Sequence, residues 1–347
     1  MCANGNLTPN SKVIKIGTPI LLLATMTVTM LMDYYLASIQ GFARSTQITY
    51  RNFRNIVAEY PIAQMRICDV RISDAKNFIH QLIAAQKPNS TIRCIRSFLR
   101  RCFVFPYEDR IIPINPFDYR LDWLPRTGPA HFWLDKNQQA SLLDYMSSEP
   151  CLKEYIPMTK VIMGSGVRLA EFCGLTVSDI DINGNCIRVN HQLHRGDDGM
   201  LHIYPPKTVS GYRTIPMLPG VADSLREAME KRPRPEVEPN IDGYSGFIFL
   251  NKHGLPYSTG QVQYIFSKIL KMYNQTHTPP LLKLSPHVLR HTFGATLTAL
   301  CLPPVAIQQL MGHAHPSTAT NIYSHMSYDT IVHVIQRALR NDSESDI

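Results

Sequence analysis

Cysteine is sparse and scattered: 8 in 347 residues, none in a C-x-x-C pair. That excludes a disulfide-stapled scaffold and suits reduced, mostly buried thiols in a cytoplasmic protein. Charged residues make up only 18% and apolar residues 44%, a balance that excludes disorder over most of the length. No internal repeat or low-complexity tract is present. No cluster of carboxylates offers a magnesium site, which argues against a two-metal nuclease. Neither a metal nor a cofactor is expected. One uncharged run stands out, Ile16 to Met32 (IGTPILLLATMTVTMLM), with Lys12 and Lys15 ahead of it. It resembles a signal peptide or short anchor. It is short for a span, however, and is broken by Gly17, Pro19 and four threonines. Its second half reads well as the start of a soluble helix, MLMDYYLASI.

Positive charge is unevenly placed. The net charge is +8, and the block from Leu36 to Gly128 holds 14 Lys/Arg against 7 Asp/Glu. From Pro129 onward the counts are 19 and 19. A polyanion is the natural partner for such an asymmetric block, and a solvated basic surface is the plain alternative.

The length suits two domains. Residues 1–28 form an extension with no assigned role. Residues 29–114 read as a helical domain. Thr46 to Glu59 places Ile48, Phe53, Ile56 and Val57 near one face. Ser73 is a candidate N-cap for DAKNFIHQLIAAQ, and Ser90 for TIRCIRSFLRRCFVF. In the second of these, Ile92, Ile95, Leu99 and Phe103 point inward, with Arg93, Arg96 and Arg100 on other faces. Residues 115–130 are Pro-rich, lack periodicity and read as a linker. The second domain spans 131–326. Turn signals at Asn183-Gly184 and Asp198-Gly199 flank CIRVNHQL and MLHIYPP, and RTIPM follows as a third strand of a small antiparallel meander. Helices are expected over Val221–Lys231, Thr259–Tyr273, Pro286–Leu300, Pro303–Met311 and Tyr328–Leu339. The fold class is therefore mainly α with a small antiparallel sheet. Residues 327–347 form a terminal helix, with an apolar stripe of Ile331, Val334, Ile335, Ala338 and Leu339, and a disordered acidic end.

Four segments of the second domain concentrate chemistry: GSGVRLAEFCGLTVSDID, KTVSGYRTIPM, SPHVLRHTFGATL and LMGHAHPSTATNIYSH. Arg168 and Arg290 are permanent cations with forked donors suited to phosphate oxygens. A pentacoordinate phosphoryl transition state concentrates negative charge, and preorganised guanidinium groups stabilise it. Histidine and lysine move protons near neutral pH, and tyrosine can serve as a covalent nucleophile. The set suits metal-free phosphoryl transfer through a phosphotyrosine.

Here the chain resembles the tyrosine recombinases, or phage-type integrases, whose signature runs Arg, Lys, His-x-x-Arg, His or Trp, Tyr. Arg168 lies in GVRLAEFCGL, and Lys207 lies between the second and third expected strands. His287 and Arg290 lie in HVLRH, His313 in MGH and Tyr323 in NIYSH. The resemblance covers Leu134 to His325 and reaches weakly into the first domain, through STIRCIRSFLRRCFVFPYEDRIIPINP. PPKTVSGYRTIPM and the nine residues between His313 and Tyr323 bring it nearest to the integrases of conjugative transposons.

The resemblance implies a two-domain clamp on double-stranded DNA with paired recombination sites. Tyr323 would attack the phosphodiester, Arg168 and Arg290 would clamp its oxygens, and Lys207 would protonate the leaving oxygen. His287 would move the tyrosine proton, and His313 would bond the phosphate. Glu171 and His291 would support them. The His287–His291 spacing is metal-like, but Arg290 beside it would repel a cation. Arg44, Arg51, Arg93, Arg96 and Arg100 are candidate DNA contacts. A homotetramer on DNA is implied, with the terminal helix docking on a neighbouring subunit, and so is an accessory directionality or DNA-bending protein. Too few residues precede the helical domain for the arm-binding domain common among such integrases. Resolution of chromosome dimers or inversion is the nearest alternative. Others are a type IB topoisomerase and a silent DNA-binding protein, which would show gaps in the active set.

Overall fold

The structure is a computed structural model that describes residues 25–42, 44–125, 132–196, 198–312 and 327–345. His313, Tyr323 and the side chains of Arg44 and of residues 341–345 lie outside that description. The chain divides into two compact units, Met1–Gly128 and Pro129–Ile347.

In the first unit, α1 (Val28–Ser38) starts behind Thr27, whose hydroxyl accepts from the Met30 amide. Val28 N donates to Met65 O at 3.0 Å and Ile67 N to Met26 O at 2.8 Å, which ties the chain in from Met26 onward. Met26, Val28, Leu31 and Met32 are buried. The described end of the anchor-like run, Met26 to Met32, thus supplies core to a folded unit, and no helix among the described residues is long and apolar enough to cross a membrane. The other helices are α2 (Arg44–Ala58), α3 (Ile72–Ala84), α4 (Asn89–Cys102) and the short α5 (Val104–Glu108). On α4 the residues Ile92, Ile95, Leu99 and Cys102 are buried at helical spacing. Each large apolar side chain on that stripe contributes roughly 1.5–3 kcal/mol by leaving water.

Both expected caps differ. Asp74 accepts from the Arg71 amide at 2.8 Å, so α3 opens ahead of Ser73. Pro88 supplies the extended entry to α4, so that helix begins before Ser90.

Residues 115–125 do not behave as a linker. Phe117, Leu121 and Leu124 are buried in the first unit's core. Asn115 donates to Arg100 O at 2.8 Å and accepts from Phe117 N at 3.0 Å. Lack of periodicity concealed this, because side chain–backbone bonds rather than a helix or strand hold the segment. The cysteines also depart from expectation. All those described are free thiols. Cys102, Cys173 and Cys186 are buried, but Cys68, Cys94, Cys151 and Cys301 are exposed. Cys94 shows why, since it lies off the inward stripe of α4.

The second unit contains α6 (Lys136–Ser148), α7 (Ile156–Ser165), α8 (Leu169–Gly174), α9 (Val221–Glu230), α10 (Thr259–Thr276), α11 (Pro286–Ala299) and α12 (Pro304–Met311). Helix α7 packs against α9 and α11. It ends at Gly166, in the left-handed region at φ 62°, where a Cβ would stand 2.2 Å from the Phe293 ring.

The expected meander is instead two sheets. β1 (Ile180–Asp181), β2 (Cys186–Val189) and β5 (Arg213–Pro216) form one, in the order β1-β2-β5, with Ile187 opposite Ile215. β3 (Gln192–Arg195) and β4 (Leu201–Tyr204) form a separate hairpin. CIRVNHQL is interrupted because the buried His191 turns inward, its Nε2 2.7 Å from Gly174 O. RTIPM therefore pairs with CIRV rather than with MLHIY. Lys207 consequently lies on the return from one sheet to the other, ahead of a 3₁₀ turn at Val209–Gly211, and not on a hairpin.

Helix α13 (Tyr328–Ser345) runs past Leu339, so residues 342–345, expected to be disordered, are helical. Ile331 and Ile335 are buried in the core of their own unit, with Val334, Ala338 and Leu339 packed against it.

Candidate active site

Arg168 sits between α7 and α8 with extended backbone, at φ −69° and ψ 150°, as the N-cap of α8. Glu171, one turn on, accepts from Arg168 N at 2.7 Å and from an Arg168 guanidinium nitrogen at 2.8 Å. The same carboxylate receives a second guanidinium. Arg213, the first residue of β5, donates to its two oxygens at 3.0 and 2.7 Å. Glu171 is 3% exposed. Burial pushes its carboxyl pKa up, but Arg213 first and then Arg168 pull it down, to about 2.

Arg290 projects inward from α11 and is 5% exposed. One of its guanidinium nitrogens donates to Gly166 O at 2.6 Å, and another bonds Met311 O. Burial lowers its pKa to about 9, with the positive charges of Arg168 and Arg213 adding to the effect. Three guanidinium groups around one carboxylate leave the cluster electropositive.

All three arginines meet at the end of α12. Arg213 Nε donates to Leu310 O at 2.7 Å, Arg290 to Met311 O and Arg168 to Gly312 O. These carbonyls have no partner within the helix, and the helix dipole makes them negative. Gly312 closes the helix at φ 64°. A Cβ there would stand 3.0 Å from Ser210 O and 3.1 Å from a terminal nitrogen of both Arg168 and Arg213. The arginines therefore gather around the peptide that leads directly to His313.

His287 and His291 lie one turn apart on α11, their Nε2 atoms 2.9 Å apart. One ring donates to the other, so the pair as placed shares a proton and cannot hold two on that contact. Lys207 is exposed and, among the described residues, has no hydrogen-bond or ion-pair partner. Tyr328, the other tyrosine near the signature, is half-buried, with its hydroxyl buried and its pKa pushed up by burial and then by Cys186. That placement does not suit a nucleophile.

The structure thus brings Arg168, Glu171 and Arg290 together and pairs His287 with His291. The missed residue is Arg213. The available signal was an arginine opening the strand RTIPM, in the same box as Lys207.

In the first unit, three of the four arginines of α4 face residues 115–125, and the fourth, Arg101, donates to the Tyr50 hydroxyl at 3.1 Å. Arg93 donates to Leu121 O at 3.1 Å and also bonds Leu124 O. Arg96 lies over the Tyr119 ring at 5.8 Å, and Arg100 bonds Asp118 at 2.8 Å. These candidate DNA contacts each have a partner within their own unit, which ties α4 to residues 115–125. Arg51 on α2 is exposed.

The profile of the phage integrase family matches residues 132–330. Over 300 residues the chain is 27% identical to the transposase from transposon Tn916 of Enterococcus faecalis, covering 85% of this chain and 73% of that protein. It is 23% identical over 298 residues to the tyrosine recombinase XerC of Listeria welshimeri serovar 6b, covering 84% and 91%. Among solved structures, the Tn1549 transposon integrase in complex with a circular intermediate DNA matches with a TM-score of 0.79 at 28% identity, covering 90% of this chain and 99% of that one. A lambda integrase tetramer bound to a Holliday junction shares the fold, with a TM-score of 0.61 at 16% identity, covering 85% and 80%.

Proposed function

The chain belongs to the phage integrase family, and from that premise we propose that it cuts and rejoins DNA through a 3′-phosphotyrosyl intermediate at the ends of a mobile element. It is a tyrosine recombinase akin to the integrases of conjugative transposons, and its partner is DNA. The observation that carries the mechanism is the convergence of Arg168 and Arg290 on the end of α12, one residue ahead of His313.

In this reading the two guanidinium groups bind the non-bridging oxygens of the scissile phosphate. Each such donor typically contributes about 3–4 kcal/mol to the transition state. The Tyr323 hydroxyl attacks phosphorus and passes its proton toward the His287–His291 pair. The bond from phosphorus to O5′ breaks, and Lys207 gives a proton to that oxygen; the lysine is exposed and has no hydrogen-bond or ion-pair partner among the described residues. His313 bonds the phosphate. Phosphodiester energy is kept in the phosphotyrosyl bond, so neither ATP nor a metal is required. A 5′-hydroxyl from the partner strand then attacks the phosphotyrosine and releases Tyr323. Paired sites call for a tetramer on DNA, in which α13 leaves its own core and docks on a neighbour. An accessory protein would set direction. The similarity to the Tn916 transposase and to the Tn1549 integrase favours this over chromosome-dimer resolution.

The test is a suicide-substrate assay in EDTA, with nicked duplexes carrying element ends and denaturing gels. A covalent adduct lost in Tyr323→Phe is expected. An adduct surviving that change would reassign the nucleophile. No adduct from protein that still binds the ends would overturn the catalytic reading.

A further inference from the structure

We propose that Arg213 is a positioning residue for DNA cleavage: it locks Arg168 and the peptide leading to His313 into one geometry without touching the phosphate itself. The inference rests on the recombinase reading above. Arg213 engages four of its five N–H donors inside the protein: two to Glu171, one to Leu310 O and one to Gly211 O at 3.1 Å. Its side chain is 5% exposed, against 38% for Arg168. Arg290 is as buried, so what sets Arg213 apart is that four of its donors are already engaged, against the bonds of Arg290 to Gly166 O and Met311 O among the described residues.

The partners of Arg213 belong to three elements that carry different parts of the chemistry. Glu171 holds Arg168 through backbone and side chain. Leu310 is in the last turn of α12, whose end leads to His313. Gly211 closes the 3₁₀ turn that follows Lys207. One planar fork thus sets the distances among segments separated in sequence by 42 and 97 positions. Lysine cannot reproduce this, because a single ammonium cannot meet both carboxylate oxygens and two carbonyls in the fork's plane. A misplacement of the order of 1 Å in such a cluster can cost about 100-fold in rate.

The experiment compares wild type with Arg213→Lys on the same nicked substrate. DNA affinity is measured by anisotropy, and adduct formation by single-turnover kinetics. The expected result is a fall of roughly 10- to 100-fold in the single-turnover rate constant, with DNA affinity within about 2-fold and a full reaction amplitude. Arg213→Gln should be slower still, with lysine giving partial rescue. A merely structural role would lower the amplitude, through loss of folded protein, and leave the rate constant unchanged; that result overturns the proposal. If Arg213→Lys does not fold, the pair Glu171→Gln with Arg213→Gln, which leaves no buried carboxylate unpaired, is read by the same split between rate and amplitude. An adduct from wild type with a normal rate in the variants refutes Arg213 alone. No adduct from wild type overturns both this proposal and the recombinase reading.

Discussion

The arginines of the two units look alike in sequence and do opposite things. On α4 they are spaced along one helix, and each has its own partner: Arg93 carbonyls, Arg96 a ring, Arg100 Asp118 and Arg101 the Tyr50 hydroxyl. Around α12 they come from three distant segments: Arg168 and Arg213 share the Glu171 carboxylate, Arg290 bonds Gly166 O and Met311 O, and Arg213 and Arg290 are each 5% exposed. Gathering like charges away from water is costly unless something compensates. Glu171 and the end of α12 compensate only in part, as the lowered pKa of Arg290 shows. A buried excess of positive charge is what a phosphate site requires, whereas arginines each tied to a carbonyl, a ring or a carboxylate of their own unit brace a fold. Count and local density of charge did not separate the two, and burial did.

Glu171→Gln should produce the largest change. It leaves the cluster without its carboxylate and should cost about 3–5 kcal/mol, read by urea denaturation. Wild type should show a matching acid sensitivity. The folded-state pKa of Glu171 is depressed to about 2 from an ordinary 4.5. Its contribution is therefore complete above pH 4.5 and is lost as pH falls toward 2, by about 3 kcal/mol. Glu171→Gln should lack that slope, and an identical slope in both would remove Glu171 from the account.

Arg290→Met comes next. It should slow adduct formation by about 100- to 1,000-fold with a much smaller loss of DNA affinity, and an equal loss in both would make it a general DNA contact.

Smaller effects are expected on α4. Arg93→Ala should release residues 115–125, at a cost of about 1–3 kcal/mol, with faster proteolysis of that segment. Arg100→Ala removes only an exposed pair and should leave the midpoint of unfolding unchanged. For Arg93, a reduced salt dependence of DNA binding with unchanged stability would break the contrast and restore α4 as a DNA-facing row. Arg51→Ala is the control that should reduce the salt slope by about 1.

Much of this was legible beforehand. The inward stripe of α4 follows from the spacing of Ile92, Ile95 and Leu99, and the boxes around Arg168, Arg290 and Lys207 identify themselves by local residue order. Pairing of strands was not legible. CIRVNHQL reads as one strand until His191 is seen turning in to bond Gly174 O. Residues 115–125 read as linker because aperiodic chain gives no signal when bonds from Arg93 and Asn115 hold it.

By itself, then, the sequence determined which residue types stand at which local spacing: helices with one apolar face, a basic first block and a set of motifs suited to phosphoryl transfer. Those properties arise between neighbours a few positions apart. Only the tertiary structure decided which cations are buried, what they share and which strands pair. Arg213 and Glu171 are 42 positions apart and meet at 2.7 Å. No local pattern encodes that distance, because it is set by how α8, β5 and α12 pack against one another.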